Sequence, residues 1–520
     1  MKKLILTVLT LSLACNSSQK PVAEVQKGQA SINNPIPFAE SITEAELREH
    51  LYTYASDEFE GRETGKPGQK KAVEYIKAQY KALGIPAAKG NEDYFQKVAL
   101  SISNVPVGNL IVNEKVFQQG SDFLTFSKAA GTVNDVIYVG YGIEEGEYSD
   151  YSGVDVKGKV LLMKFGEPKN KDGTYVLSGS ETPSLWSNMS ESVGKRVELA
   201  TEKGARGILY YDPDNFSRYK RYYRFMKNNS SGRMQLDVET NESFLVLITE
   251  EIVDELYPQL KENHIPSTLA ATIDMQIKSA DTKIDSENVA AILKGSKKPN
   301  EYVVISSHLD HIGITADGQI NNGADDDGSG TVAMLEIAEA FKTAADMGQG
   351  PDRSILFLHV TGEEKGLLGS KFYTDYEPLV PLKNTVANLN IDMIGRIDPK
   401  RNGDRNYVYL IGSDKLSTDL HELSEAINTK YTNLELDYKY NDENDPNRFY
   451  YRSDHYNFAK NNIPIIFYFN GTHNDYHRPG DTPDKINYDL LKNRSQLIFH
   501  TAWEVANREN RIIVDKATNN

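Results

Sequence analysis

"SILFLHVTGEEKGLLGS", residues 354–370, runs from a largely apolar stretch into a Gly-rich turn, with Glu363 and Glu364 side by side at the junction. A run that is apolar throughout, not alternating, is the pattern of a strand buried on both faces. Adjacent like charges repel, and ending a buried strand does not call for two of them. The same kind of run recurs at "NVAAILK" (288–294), "YVVIS" (302–306), "VANLNI" (386–391), "YVYLI" (407–411) and "IPIIFYF" (463–469). Between two of these lies "GTVAMLEIAEAFKTA" (330–344), with Met334, Leu335, Ala338 and Phe341 on one helical face. Apolar strands separated by helices predict an α/β fold, a mostly parallel sheet with helices on both faces.

In an open sheet of that kind, ligands bind beyond the carboxyl ends of the strands. The residues there are few and of one kind. The run 302–306 leads into "SHLDH", with His308, Asp310 and His311; 354–360 leads into Glu363 and Glu364; 386–391 ends at Asp392. The run 463–469 leads into "NGTHNDYHRPGD", with His473, Asp475 and His477, and "NNGADDDGSG" (321–330) adds three aspartates ahead of a helix. Taken singly, a strand-end aspartate is a cap or turn residue, and "DDDG" is a turn. Together they converge imidazoles and carboxylates on one sheet edge, a donor set suited to zinc or a similar divalent ion. Two histidines and three acids seat two metals when one carboxylate bridges, and paired ions activate water and polarise a carbonyl together. His359, inside an apolar strand, reads as a hydrogen-bonded core residue. His50, His264, His421 and His500 stand in helix or loop text without acidic neighbours and read as structural.

The chain has 520 residues, enough for more than one domain, with 39% hydrophobic and 25% charged residues, a soluble globular balance. A net charge of −16 argues against nucleic acid as a partner, which requires a basic face. "MKKLILTVLTLSLACNSSQK" pairs two lysines with an apolar run too short to span a bilayer, which predicts an export signal over 1–14. The single cysteine, Cys15, falls at the cleavage point and rules out an internal disulfide. The stretch resembles a bacterial lipoprotein signal, although Ser12 stands where that pattern has leucine; the alternative is an ordinary secretory signal. On the first reading the protein is an envelope-anchored or periplasmic lipoprotein held to the membrane only through Cys15, and otherwise it is secreted. Residues 15–40 then form a flexible tether.

"TEAELREHLYTYAS" (43–56) and "KAVEYIKAQYKALGIP" (71–86) carry helical spacing, within an N-terminal part of the main domain at 41–105. From 106 to 283 the texture changes to short strands such as "DVIYVGYGI" (135–143) and "GKVLLMKFGEP" (158–168), a separate mixed unit. Within it, "KRVELATEKGARGILYY" (195–211) reads as helix, glycine turn and strand, and the polar stretch up to 240 as an excursion loop. Residues 284–515 form the main domain.

"SHLDH", "NNGADDDGSG", "VTGEEKGLLGS", "NIDMIG" and "DYHRPGD", in this order, resemble the co-catalytic dizinc aminopeptidases, metallopeptidase family twenty-eight. The resemblance covers about 284–510, and "EFEGRETG" (58–65) matches the family's N-terminal signature. It implies a zinc-exopeptidase fold and two Zn²⁺ per chain. The first zinc would be held by His308, Asp326 and Asp392, the second by Asp326, Glu364 and His477, with Asp326 bridging. It further implies Glu363 as catalytic base, Asp310, two residues past His308 and so on the same strand face, as the carboxylate orienting the His308 imidazole, and Tyr476 as an oxyanion stabiliser. Asp325 stands where many relatives have asparagine, and His473 competes with His477 as the last ligand. Residues 139–168 and 200–211 resemble a protease-associated (PA) domain, which in this family acts as a lid or as a stabilising insertion.

The expected activity is hydrolysis at peptide ends, most simply at the amino end. Three alternatives stay open: a carboxypeptidase or dipeptidase, in which Arg452 of "FYYRSDH" grips a free carboxylate instead of forming a structural salt bridge; a glutaminyl cyclase; and a binding module without catalysis.

Overall fold

The computed structural model describes residues 34–90, 92–189, 191–229, 232–238 and 242–516. The expected signal, Cys15 and most of the tether lie outside the described residues. The tether was expected to reach residue 40, but Ile36–Ala39 forms a helical turn whose buried Phe38 stacks on Trp503, with centroids 5.7 Å apart. Such a pair is worth about 0.5–1.5 kcal/mol beyond its buried area, enough to end the tether earlier.

Among the described residues, nine strands build the main sheet in the order Arg233–Leu236, Phe95–Ser103, Asp281–Leu293, Arg353–Val360, Lys298–His308, Thr385–Ile391, Ile465–Phe469, Tyr407–Ile411 and Glu435–Asp437. From Arg353–Val360 to Ile465–Phe469 neighbours run parallel, so four carboxyl ends open on one edge. The flanking strands Asp281–Leu293 and Tyr407–Ile411 are antiparallel to their neighbours in this core. The short link from Leu293 to Lys298 reverses the chain, since a parallel return needs a long crossover.

Side chains alternate across the sheet, and each face has its own helical cover. Val303, Ile305, Ile355 and Phe357 pack with Leu51, Tyr80, Phe341 and Trp503, which come from Glu44–Tyr54, Pro67–Leu83, Gly330–Asp346 and Tyr488–Asn507. Val304, Leu356 and Leu358 pack on the other face with Tyr373 and Phe458. That is why these runs lack polar alternation. Pro67–Leu83 stops at Gly84, whose φ of 68° suits a residue without Cβ.

A second sheet has eight strands among the described residues, from Val107–Val112 to Ser267–Lys278 in the chain, around two cores of its own. The stretch expected as an excursion loop is instead a helix, Phe216–Asn229, followed by the strand Arg233–Leu236. Phe216, Tyr219 and Tyr223 share one helix face and pack into the second unit, an apolar stripe hidden among arginines and lysines. Arg233–Leu236 then leaves that unit and pairs antiparallel with Phe95–Ser103 on the main sheet.

Candidate metal centre and active site

The parallel strands end on the expected residues. His308 closes its strand, Glu363 and Glu364 follow Val360, Asp392 follows Ile391, and the loop after Phe469 brings in Tyr476 and His477. The three aspartates of "ADDD" diverge into three tasks. Asp327 accepts the backbone N–H groups of His308, Gly330 and Met393, tying two strand ends to a helix start. Asp325 accepts from the Gly395 N–H and lies 3.3 Å from His473 Nε2. Asp326 alone turns into the cluster, with Oδ1 3.1 Å from His308 Nε2 and Oδ2 3.1 Å from His477 Nε2. Asp392 Oδ1 lies 3.7 Å from His308 Nε2, and Glu364 Oε2 lies 3.0 Å from His477 Nε2.

Thus His308, Asp326 and Asp392 form one group, and Asp326, Glu364 and His477 a second that shares Asp326. His473 is drawn off by Asp325 and Asp481 and stands outside both. One residue without a role in the sequence reading, His311, has entered: its Nδ1 is 2.8 Å from Glu364 Oε1 and 3.8 Å from Asp326 Oδ2. The acidic company of "SHLDH" was its only signal.

The donor set fits a metal on two observations. His308 Nε2, Asp326 Oδ2 and Glu364 Oε1 are buried without a hydrogen-bond partner, which costs about 1–3 kcal/mol per group if nothing joins them. The carboxylates also crowd one another and need compensating positive charge. Burial alone would lower the His308 pKa, yet Glu363, Asp326 and Asp392 lift it well above its ordinary value. Burial alone would raise Asp326, yet His311, His308 and His477 hold it well below the usual carboxylate range. The cluster therefore has the donor atoms and the negative charge to suit a cation.

The two neighbouring glutamates sit in opposite environments. Burial and the Asp326 charge push Glu364 up, but the His311 and His477 imidazoles outweigh them and hold it at about 2. Glu363 is pushed well above the carboxylate range, chiefly by burial and against the pull of His308, and it lines a small cavity with Asp326 and Asp392. One carboxylate is kept charged and the other is inclined to take a proton. Tyr476 stacks on His477 at 3.9 Å and lines the same cavity, and burial with its acidic neighbours keeps its hydroxyl protonated.

The expectation for Asp310 needs correction. Its carboxylate is 4.0 Å from His308 Nδ1, and the Asp310 backbone carbonyl, at 2.9 Å, is what orients the ring. The strand ends at His308, so the two-residue parity behind the expectation breaks there. The carboxylate instead accepts from the Glu363 N–H at 3.2 Å and the Thr64 hydroxyl at 2.7 Å, fixing the loop that carries the glutamate pair.

Thr64 belongs to "EFEGRETG", and the rest of that motif braces the same loops. Buried Arg62 donates to the carbonyls of Tyr54, Asn322 and Gly323, and Glu63 meets Lys365 at 3.2 Å. His359, as expected, is a core residue, hydrogen-bonded to Tyr80 and Ser307. His50 does have an acidic neighbour, Glu336 at 3.3 Å, but the pair joins two helices and is not part of the cluster.

Beyond the cluster the cavity is walled by Met393, Phe449, Phe467 and Phe469, with Arg452 at its rim. Arg452 is exposed, lies 4.9 Å from the Phe449 ring centroid and makes no ion pair among the described residues. A separate cleft of about 1000 Å³ lies between the two units, lined by Trp186 and Glu198 on one side and Arg448 and Tyr451 on the other. No helix among the described residues is long and apolar enough to cross a membrane.

Residues 288–502 match the model of peptidase family M28. Leucine aminopeptidase 1 of Sclerotinia sclerotiorum is 28% identical over 226 residues, 42% of this chain and 56% of that protein. Aminopeptidase YwaD of Bacillus subtilis is 24% identical over 314 residues, 56% of this chain and 61% of that protein. The chain thus spans less than two thirds of the length of either relative. An aminopeptidase structure from Aneurinibacillus sp. strain AM-1 aligns over 93% of this chain and 98% of its own, at 20% identity and a TM-score of 0.46.

Proposed function

Because residues 288–502 match the model of peptidase family M28, we propose that the protein is a zinc-dependent exopeptidase that removes residues from the amino ends of peptides. The observation that carries this reading is the pair of His/carboxylate groups sharing Asp326, with Glu363 beside them and making no ion pair with an imidazole among the described residues. His308, Asp326 and Asp392 hold one zinc and Asp326, Glu364 and His477 a second, two per chain. Bound there, zinc supplies a Lewis acid that acidifies water and polarises the scissile carbonyl.

The chain's own groups do the rest. Glu363 removes the proton from the attacking water and later delivers it to the leaving amine, a task suited to a carboxyl whose burial raises its proton affinity. Tyr476, protonated, donates to the oxygen on which charge develops. Phe449, Phe467 and Phe469 offer an apolar wall for the first side chain. The unit at 106–283 acts as a PA-type lid, its cleft against the main domain supporting a role in substrate access.

The test is zinc-loaded protein against matched peptides blocked at the amino end, at the carboxyl end or at neither. Amino blocking should abolish turnover and carboxyl blocking should not. The reverse outcome would establish a carboxypeptidase, for which the unpaired Arg452 is the supporting observation. In that case Arg452→Ala should raise KM about 10- to 10²-fold for free-carboxylate substrates and leave blocked ones unaffected, the size of one lost charge-assisted contact.

For the envelope location we propose a lipid anchor at Cys15. Wild-type protein should partition with membranes and Cys15→Ser should not; a soluble mature chain beginning at Ser12 or Asn16 would remove the anchor.

A further inference from the structure

We propose that His311 is a ligand of the second zinc position, so that this position takes four protein residues (Asp326, Glu364, His477 and His311) while the first takes three. The inference rests on the dizinc reading above. His311 is fully buried, and its Nδ1 stands within 2.8 Å of Glu364 Oε1 and 3.8 Å of Asp326 Oδ2. The bland reading is a hydrogen bond from the imidazole to Glu364. The geometry opposes it: at 2.8 Å the two atoms do not align as donor and acceptor, and both are left without a hydrogen-bond partner. Two unaligned atoms this close, with Asp326 Oδ2 and His477 Nε2 beside them, aim at a common point. Zinc bonds of about 2.0–2.2 Å put neighbouring ligand atoms about 3–4 Å apart, in keeping with the spacings of 2.8 to 3.8 Å here. Nε2 is unpartnered on either reading, so the choice turns on Nδ1.

The ring is held for this task by its surroundings. The backbone N–H of His311 donates to the Arg62 carbonyl at 3.2 Å and fixes the main chain beneath the ring. A Cβ on Gly323 would come within 2.6 Å of the ring, so the glycine loop presses against the imidazole and sets its plane. His477 meets it edge-on, with ring centroids 5.8 Å apart.

The consequence is an asymmetric pair. Zinc sites with four protein ligands are closed and retentive, whereas those with three keep a position open for water or substrate. The second position is then the retained ion, and the first, beside Glu363 and the cavity, the open and more exchangeable one.

Stepwise zinc titration of metal-free full-length protein tests this, with X-ray absorption of the one-zinc form to count imidazoles. Wild type should bind in two steps, and the first zinc should carry two imidazoles. His311→Ala should weaken the tighter step at least about tenfold, since even residues that only support a ligand cost 10- to 100-fold. Its first-bound zinc should show one imidazole, and added free imidazole should restore the affinity. His311→Gln, which keeps bulk and polarity, should show the same loss and guards against misfolding as the cause. An unchanged tighter step in both variants, or one imidazole in the wild-type one-zinc form, overturns the assignment. A wild-type chain that binds no zinc would instead sink the dizinc reading itself.

Discussion

Glu363→Gln should bind zinc with the stoichiometry and affinity of the wild type and turn over substrate about 10²–10⁴-fold more slowly, the usual size of a general-base contribution. The reason is the division between neighbours. Glu364 lies against His311 and His477 and is held charged, so it is built to stay on a cation. Glu363 faces the cavity with its backbone pinned by Asp310, and burial inclines it to accept a proton. Glutamine keeps the shape and loses the basicity. KM should therefore change little while kcat falls. Glu364→Gln, by contrast, should lose occupancy at one position and regain part of its activity in excess zinc. Metal loss in Glu363→Gln equal to that in Glu364→Gln, measured on the purified proteins, would refute the division.

What sequence could show of this site followed from strand ends. Apolar runs located the parallel core, and residues just past them, His308, Glu363, Glu364 and Asp392, converge because parallel strands share one carboxyl edge. The limits were equally physical. Parity along a strand assigned the Asp310 side chain to His308, but parity lapses where the strand stops, and the backbone carbonyl took the role. His311 lies past the same break, so spacing could not say where it points. The helix at Phe216–Asn229 escaped because its apolar stripe is made of tyrosines among cations, and the crossing of Arg233–Leu236 to the main sheet is a tertiary pairing that local text does not encode. The brace from Thr64 and Arg62 connects residues far apart in sequence, so "EFEGRETG" could be read as a signature but not as a support.

The adjacent aspartates give the largest expected contrast. Asp326→Asn should lose both zincs, not one, because its two oxygens face two different groups: Oδ1 toward His308, Oδ2 toward His477 and His311. An amide offers one oxygen and no charge, so it cannot bridge, and each ion also loses the shared negative charge that offsets its repulsion from the other. Turnover should fall at least as far as in Glu363→Gln, to about 10⁴-fold or beyond, and high zinc should not restore it. Asp325→Asn is the control one residue away. Its Oδ1 accepts from the Gly395 N–H, which an amide oxygen can still do, and its other oxygen lies 3.3 Å from His473 Nε2, outside both zinc groups. That variant should keep both zincs and stay within about tenfold of wild-type turnover. Metal analysis of the two purified variants decides the matter. If Asp325→Asn loses the zincs and Asp326→Asn keeps them, the bridge has been assigned to the wrong member of the triplet; if Asp326→Asn loses only one, the two positions do not share a carboxylate.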